Sequence, residues 1–291
     1  MVTGGTDGIG RAVALQLARA GHRVLVVGRD TTRGAMVMRE MTAVAARPQA
    51  SEPPVFLSAD LSSMVATAAL ADRITALTDR LDALVCCAGA LALRPVWTSE
   101  GLERSLALNY LSRLLLIERL LPELERSPSG RVVLVANAGR YRDTLQLEDL
   151  KRRHAPRGLR LAGSTQFAND VLAVELAERY RHSRLEVTCV NPGIVRTELF
   201  RHAVGVAPVL AAPLTRVAAR VGLPPEVAAR TPATLAADPE ARGVSGQFFG
   251  PRLRPIKVPR RVRRPNRRAE ILAASEELIL QATRNAVPVS R

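Results

Sequence analysis

A glycine-rich stretch near the start of this 291-residue chain gives the first indication of chemistry. The stretch reads Thr3-Gly4-Gly5-Thr6-Asp7-Gly8-Ile9-Gly10 and leads into a helical pattern. Glycines let the backbone turn tightly and approach a pyrophosphate, which then lies against the free N–H groups at the helix N-terminus. The stretch therefore predicts a dinucleotide site, and the simpler alternative is a plain glycine-rich turn.

The residues after the next apolar run bear on which dinucleotide is bound. Gly28 and Arg29 stand where an acid would bind the ribose hydroxyls of NAD, and Arg33 follows one turn later. A guanidinium there can pair with a 2′-phosphate, so the pattern favours NADP(H). Asp30 weakens this prediction, and the alternative is that both arginines face solvent.

Short apolar runs alternate with longer helical patterns and would position these groups. Strands are predicted over residues 23–27, 54–57, 83–87, 131–136, 185–190 and 247–249, and helices over 8–20, 99–125, 165–180 and 266–281. The expected fold is α/β: a doubly wound, Rossmann-type parallel sheet with helices on both faces. Only Met1 and Val2 precede the glycine stretch, so either the first strand is cut down or the native start lies upstream.

A single Rossmann-type domain is expected to span residues 1–291. Prolines punctuate residues 197–239, which we interpret as a helical excursion and not a second domain. Residues 251–268 form a basic segment, with nine cations and no acid in its last seventeen residues. The final helix would place Ile271, Leu272, Leu278 and Ile279 on its apolar side.

Composition excludes several classes of function. The net charge is +15, but 40 of the 42 cations are arginine and aromatic residues make up 3%, so nucleic-acid binding is not favoured. No window is apolar enough for a membrane span and no secretory signal is visible, which predicts a cytoplasmic protein. Cys86, Cys87 and Cys189 lack the spacing of a disulfide framework or a metal site, and we expect buried thiols and no metal.

Four later motifs extend the pattern: Asp60-Leu61-Ser62, Cys86-Cys87-Ala88-Gly89, Asn109-Tyr110-Leu111 and Asn191-Pro192-Gly193-Ile194-Val195-Arg196-Thr197. With the glycine stretch they resemble the short-chain dehydrogenase/reductase family over nearly the whole chain. Two further stretches resemble its retinol-dehydrogenase branch: Gly243-Val244-Ser245-Gly246-Gln247-Phe248-Phe249 and Ser275-Glu276-Glu277-Leu278.

The resemblance implies how the cofactor is bound. Asp60 would meet the adenine, and the Pro192-Gly193 segment would line the nicotinamide. Of the family's Asn-Asn-Ala-Gly motif, only Ala88 and Gly89 are kept. The predicted cofactor residues are Thr3, Gly4, Gly5, Thr6, Asp7, Gly8, Ile9, Gly10, Arg29, Arg33, Asp60, Leu61, Cys87, Ala88, Gly89, Gln166, Pro192, Gly193 and Val195.

The family's catalytic residues are replaced. A tyrosine normally gives its proton to the carbonyl oxygen, a lysine lowers the tyrosine pKa, and a serine orients the substrate. By alignment, Asn137, Ala162 and Gln166 replace the serine, the tyrosine and the lysine, while Asn109 is retained. Gln166 could still hydrogen-bond the nicotinamide ribose. No lysine follows Tyr141 at the required spacing, so a shifted alignment does not restore the set.

Three interpretations stay open. In the first, the chain is an NADPH-dependent ketoreductase of secondary metabolism that resembles the atypical angucyclinone ketoreductases. Its substrate would be an aromatic polyketide whose own phenol, or water, supplies the proton, under a lid formed by residues 197–239. Ser164, Thr165 and Asn137 would be polar supports, and Tyr141 or His154 donors from a loop, although such residues are more often structural or exposed.

The second interpretation is a non-catalytic NADP(H)-binding sensor or scaffold whose C-terminal arginines contact a partner. The third is a non-redox enzyme, a cyclase or dehydratase, that has kept the pocket without hydride transfer. The sequence does not indicate an oligomeric state.

Overall fold

The computed structural model describes residues 1–44, 52–146, 157–196 and 220–285, which build one eight-stranded sheet. The strands are β1 (Val2–Thr3), β2 (Leu25–Gly28), β3 (Val55–Ser58), β4 (Ala83–Cys86), β5 (Arg131–Val135), β6 (Glu186–Val190), β7 (Phe248–Phe249) and β8 (Pro255–Ile256). Their order is β3-β2-β1-β4-β5-β6-β7-β8, and every pairing is parallel except that of β7 with β8. The strand order changes direction between β1 and β4. In sheets of this kind, ligands bind in the crevice that forms at this point, outside the carboxyl ends of the strands.

Helices cover both faces of the sheet, as expected. Within the described residues they are α1 (Gly8–Arg19), α2 (Thr31–Val44), α3 (Met64–Thr75), α4 (Arg104–Leu106), α5 (Ser112–Arg119), α6 (Leu121–Glu125), α7 (Leu159–Arg179), α8 (Pro225–Ala228), α9 (Arg230–Ala237) and α10 (Pro265–Asn285). One π-helical turn, Ala107–Leu111, joins α4 to α5. Two 3₁₀ turns, Pro251–Leu253 and Arg260–Arg263, lie in the basic segment.

Two apolar layers, one on each face, fix the strand ends that carry the candidate site. Leu25 and Val27 of β2 join the layer with α3, α5, α7 and α10, whereas Val26 joins the layer with α1, α2 and α9. Burying one such side chain contributes about 1.5–3 kcal/mol, so each layer holds its helices firmly against the sheet.

Two helix boundaries differ from the prediction. The helix expected over 99–125 begins at Arg104 and is divided, because α5 ends at Arg119 and Pro122 fits the first turn of a new helix but not a helix interior. The helix expected over 165–180 begins earlier, at Leu159, directly after Gly158 with its φ of +64°. The longer α7 brings residues 159–164 onto the helix that carries Gln166.

The final helix is confirmed, with Ile271, Leu272 and Ile279 buried and Leu278 partly buried. The basic segment contains an edge strand, β8, that was not predicted. Its Pro255 has no N–H to donate to a neighbouring strand, and an edge strand tolerates this. Residues 197–219 of the predicted lid and His154 lie outside the described residues. Among the helices that are described, none has the length and apolar character needed to cross a membrane.

Candidate active site

The glycine-rich stretch forms a tight loop between β1 and α1, at the carboxyl edge of the sheet. Gly4 has a φ of +64°, and a Cβ there would lie 2.7 Å from the Ala88 backbone nitrogen. A Cβ on Gly10 would lie 2.2 Å from the Gly4 carbonyl oxygen. Since both contacts are with backbone atoms, only glycine fits at these two positions.

This loop forms a cradle that suits a pyrophosphate. Asp7 caps α1, and its carboxylate accepts a hydrogen bond from the Gly8 N–H at 2.7 Å. The Ala88 N–H donates to Thr3 Oγ1 at 3.2 Å, which joins the loop to the end of β4. The glycines leave the backbone uncovered, and other N–H groups in the first turn of α1 lack intrahelical partners, so the cradle can bind the phosphates of a dinucleotide.

Arg29 and Arg33 have different surroundings at the end of β2. The Arg33 guanidinium pairs with Asp7 at 2.8 Å and with Asp30 at 3.5 Å. Arg29 is exposed, and its side chain makes no hydrogen bond or ion pair with another residue that the structure describes. Arg29 is therefore better placed than Arg33 to bind a 2′-phosphate.

Asp60, which the sequence predicts to meet the adenine, lies just beyond β3. Its carboxylate accepts hydrogen bonds from the Ser62 N–H at 3.0 Å and the Ser62 hydroxyl at 2.8 Å. Partial burial acts to raise the pKa of Asp60, but the Ser62 hydrogen bonds and the nearby Arg29 and Arg104 outweigh it and lower that pKa below its usual value. Asp60 is thus ionised at neutral pH and can accept hydrogen bonds from an adenine amino group.

A buried polar cluster supports the loop that follows β4. Arg113 donates to the Ala88 carbonyl and to Asn169 Oδ1, each at 2.9 Å. Asn109, in the π-helical turn, accepts from the Ala90 N–H at 2.8 Å and donates to the Ala90 carbonyl at 2.9 Å. Asn169 donates to the Asn109 carbonyl at 2.9 Å. Asn109 therefore fixes the backbone at Ala90, directly after Gly89, while Arg113 holds the Ala88 carbonyl before it.

Arg113 was not singled out from the sequence. The one feature that could have indicated it is a single cation within the leucine-rich pattern of α5. Its Nε is buried and has no hydrogen-bond partner among the described residues. Burial raises the pKa of Cys86 to about 11 and that of Cys87 to about 12, so these neighbouring thiols stay protonated. The guanidinium is therefore a buried positive charge directly behind the loop at Ala88.

The three positions that the sequence comparison matched to the family's serine, tyrosine and lysine lie near the end of β5. The Asn137 N–H donates to Gln166 Oε1 at 2.8 Å, and Ala162 lies one turn before Gln166 on α7. Since the amide oxygen faces this N–H, the Gln166 Nε2 group keeps two hydrogen-bond donors for the crevice. Asn137, Ala162 and Gln166 are each partly exposed, so a bound ligand can reach them.

The Pro192-Gly193 segment leaves β6 at the same edge. The Asn191 N–H donates to the Phe249 carbonyl at 2.7 Å, and Asn191 Oδ1 accepts from the Gly193 N–H at 2.9 Å. Gly193 has a φ of +78°, which glycine adopts without strain. Val195 forms a β-bridge with Leu223. The segment is therefore a fixed turn beside the crevice, where the sequence predicts that a nicotinamide binds.

Comparison with known proteins identifies this arrangement. A family model described as short chain dehydrogenase matches residues 1–144. Polyprenol dehydrogenase of Mus musculus is 36% identical over 261 residues, which cover 86% of this chain and 74% of that protein. Retinol dehydrogenase 14 of Mus musculus is 31% identical over 257 residues, which cover 86% and 76%. The chain belongs to the short-chain dehydrogenase family.

Bacterial proteins resemble the chain as well. A Streptomyces sp. (strain C5) protein named "Putative daunorubicin C-13 ketoreductase DnrU" is 32% identical over 261 residues, which cover 89% of this chain and 85% of that protein. A crystal structure of an uncharacterised protein from Mycobacterium paratuberculosis matches with a TM-score of 0.71 and 26% identity, covering 96% and 91% of the two chains. The short-chain dehydrogenase fold is confirmed, and the chain is an oxidoreductase of a family that binds nicotinamide dinucleotides.

The remaining polar candidates near the short-chain dehydrogenase site have other partners. The Ser164 hydroxyl donates to the Leu161 carbonyl at 2.8 Å, and the Thr165 hydroxyl donates to the Ala162 carbonyl at 3.1 Å. Both hydroxyl protons are therefore bound within α7. Tyr141 is half-buried and its ring lies against Gly163, where a Cβ would be 3.0 Å from the tyrosine Cδ1.

Proposed function

We propose that the chain is an NADPH-dependent ketoreductase that reduces a carbonyl of an aromatic polyketide, an angucyclinone, in secondary metabolism. The observation that carries the proposal is the meeting of Asn137, Ala162 and Gln166 beside an intact dinucleotide cradle. None of these three side chains is an acid that can protonate an alkoxide. A substrate that supplies its own proton would make such an acid unnecessary.

Two resemblances support this substrate class. The Streptomyces relative is named for the reduction of a ketone on daunorubicin, an aromatic polyketide. The combination of replaced residues also resembles the angucyclinone ketoreductase of simocyclinone biosynthesis.

The preference for NADPH is supported by Arg29, an exposed guanidinium at the end of β2. When bound, the reduced nicotinamide supplies the hydride. The glycine loop would hold the pyrophosphate and Asp60 the adenine. Gln166 Nε2 would donate to the nicotinamide ribose, while the Pro192-Gly193 turn supports the nicotinamide ring. These contacts would hold the ring on the side of the crevice where Ala162 leaves room for a ketone.

The proton would come from a phenol beside the ketone, or from water. Hydride addition at the carbonyl carbon would move an electron pair onto the oxygen, and the adjacent phenol O–H would polarise that oxygen and transfer its proton to it. The phenolate would then take a proton from water. Asn137 can donate a side-chain hydrogen bond to the same oxygen, which stabilises charge without transferring a proton.

A second candidate is a non-catalytic NADP(H)-binding protein. It is favoured by the Ser164 and Thr165 hydroxyls, whose protons are bound within α7. A cyclase or dehydratase on the same fold is a third candidate, in which the cradle would serve binding without hydride transfer.

The deciding experiment measures turnover of two ketones with NADPH: a peri-hydroxytetralone and its peri-methoxy counterpart. With NADPH deuterated at the transferred position, we expect a deuterated alcohol from the hydroxy ketone. We expect turnover of the methoxy ketone to fall at least about a hundredfold, because the internal proton is gone. NADPH binding without oxidation by any peri-hydroxy aromatic ketone would favour the non-catalytic candidate. Equal turnover of the two ketones would refute the substrate as proton source.

A further inference from the structure

Two arginines of the basic segment hold the loop that follows β5. Arg261 donates to the Tyr141 carbonyl at 2.9 Å and to the Gly139 carbonyl at 3.3 Å. Arg267 forms a bidentate pair with Asp143, at 2.9 Å and 3.2 Å, and also donates to the Leu145 carbonyl. These contacts join positions 120 to 124 residues apart, so part of the segment has an internal role.

Helix α7 holds the same loop from the other side. Besides the Asn137–Gln166 hydrogen bond, the Gly139 N–H donates to the buried Asp170 carboxyl at 2.9 Å. Further along, the Thr144 hydroxyl donates to the Arg160 carbonyl at 3.5 Å. The loop therefore runs along the first half of α7 and is fixed between that helix and the arginines.

The side chain that this arrangement positions is Tyr141. Its ring lies on Gly163, the neighbour of Ala162, and a Cβ at 163 would lie 3.0 Å from the ring, which would have to shift by a few tenths of an ångström. The other two tyrosines have different places. Tyr110 is fully buried with its hydroxyl bonded to Ser275, and Tyr180 ends α7 at the opposite edge of the sheet. Tyr141 is thus the tyrosine ring beside the replaced catalytic positions.

We propose that Arg261 and Arg267 form an internal clamp that holds the ring of Tyr141 beside Ala162, where the ring is one wall of the ketone pocket. The proposal rests on the ketoreductase function and adds a specificity-determining residue to it. A half-buried ring can stack, offset, on a flat aromatic ketone, which favours that substrate over an aliphatic one. The phenol proton of Tyr141 is not needed for this role.

The first test is Gly163→Ala. Alanine has a higher helix propensity than glycine, so the variant is expected to keep its thermal stability, while the new Cβ shifts the ring by a few tenths of an ångström. The dissociation constant of the peri-hydroxytetralone from the protein–NADP⁺ complex, measured by calorimetry, should rise about two- to threefold, the lower range for a weakened aromatic contact. The KM of the ketone should rise with it, and the NADPH dissociation constant should stay within about twofold.

The second test exchanges the charges of the clamp. Asp143→Arg and Arg267→Asp should each weaken ketone binding about five- to tenfold. The double exchange should recover part of the loss, because the pair can form again in reverse although the contact with the Leu145 carbonyl is not restored. Arg260→Gln, at an exposed position of the same segment, is the matched control and should bind ketone as the parent does. A double variant as weak as the singles would overturn the clamp.

Two substitutions of Tyr141 separate this inference from the proposed function. Tyr141→Phe keeps the ring and should bind the ketone within about twofold of the parent, whereas Tyr141→Leu should bind it about tenfold more weakly. Unchanged ketone binding in Gly163→Ala and Tyr141→Leu overturns the aromatic wall even if turnover proceeds. A thousandfold loss of kcat in Tyr141→Phe alone would instead overturn the substrate as proton source. Ketone binding that depends on Tyr141 without NADPH oxidation would support the wall and contradict the reductase.

Discussion

Asn137 and Gln166, the positions that the sequence alignment matches to the family's serine and lysine, are joined by one hydrogen bond. The Asn137 N–H donates to Gln166 Oε1 at 2.8 Å, across 29 residues of chain. A backbone N–H can only donate, so the conformation of the loop after β5 depends on an acceptor at position 166. Lysine has no acceptor, which makes the family's own residue unsuitable here.

Gln166→Lys is therefore expected to weaken the fold without restoring the usual chemistry. The Asn137 N–H would lose its partner, at a cost of about 1–3 kcal/mol in the free energy of unfolding. Gln166→Glu keeps an acceptor and should lose less stability, but without the Nε2 donors its NADPH affinity should fall about tenfold. Urea unfolding and NADPH fluorescence titration measure the two effects. Equal stability of Gln166→Lys and the parent would show that the hydrogen bond does not support the loop.

Arg29 is expected to account for most of the proposed preference for NADPH over NADH. Because Arg33 is paired with Asp7 and Asp30, Arg29→Gln should raise the NADPH dissociation constant about tenfold or more, since a charge-assisted bond to phosphate is lost. NADH lacks that phosphate, so its dissociation constant should change less than about twofold. Titration of both cofactors measures the ratio.

The control for charge alone is Arg39→Gln, at an exposed position of α2. It should leave both dissociation constants unchanged. A similar loss of NADPH affinity in Arg39→Gln would mean that general positive charge, and not contact with the phosphate, sets the preference.

Asp170 should make the stability depend on pH. Burial raises the pKa of its carboxyl to about 7, although the Gly139 N–H, Arg261 and the Cys189 thiol act to lower it. In the unfolded chain the ordinary pKa is 3.8. Between these values the folded protein keeps a proton that the unfolded chain has lost, so rising pH favours unfolding. The stability should fall from about pH 4 to about pH 7 by on the order of a few kcal/mol and then level off.

Asp170→Asn should remove this dependence while its amide oxygen still accepts from the Gly139 N–H. The measurement is urea unfolding of both proteins across that pH window, with the difference between them plotted against pH. Asp72→Asn, which changes an exposed carboxylate of α3, is measured alongside as the surface control. A flat difference for Asp170→Asn would show that this carboxyl is ionised throughout.

Local patterns predicted the elements better than the contacts between them. The strand positions agree with the structure to within one or two residues, because apolar runs bounded by turn residues are a local signal. The division of α5 from α6 could be anticipated from Pro122, but the π-helical turn could not. Its Asn109 bonds to Ala90 on another loop, and such tertiary contacts override local propensity.

The candidate site shows the same limit. The glycine spacing and the motif at Asp60 marked the cofactor half, since each is a short run of residues. The contacts of Arg113 with Asn169 and of Arg267 with Asp143 join residues 56 and 124 positions apart. No rule of sequence spacing connects these residue pairs, and the sequence does not distinguish among the several arginines of the basic segment. Only the folded structure shows which of these arginines make contacts within the protein.

Arg113 is expected to stabilise the loop at Ala88 despite the cost of burying its charge. Arg113→Met fills similar space but leaves the Ala88 carbonyl and Asn169 Oδ1 without donors. Unpaired buried acceptors cost about 1–3 kcal/mol each, and relief from burying a cation offsets part of this, so a net loss of about 2–4 kcal/mol is expected. NADPH affinity should fall with it, because Ala88 contacts the glycine loop.

The matched control is Arg119→Met on the same helix, α5. Arg119 is exposed and pairs with Asp72 at 3.1 Å, a contact that contributes about 0–1 kcal/mol to the stability. The Arg119→Met variant should therefore leave NADPH affinity unchanged. Adding Asn169→Leu to Arg113→Met should cost much less than the sum of the two single losses, because both substitutions disrupt one network. Strict additivity, measured by urea unfolding, would show that Arg113 and Asn169 act independently and that the buried cluster is not one unit.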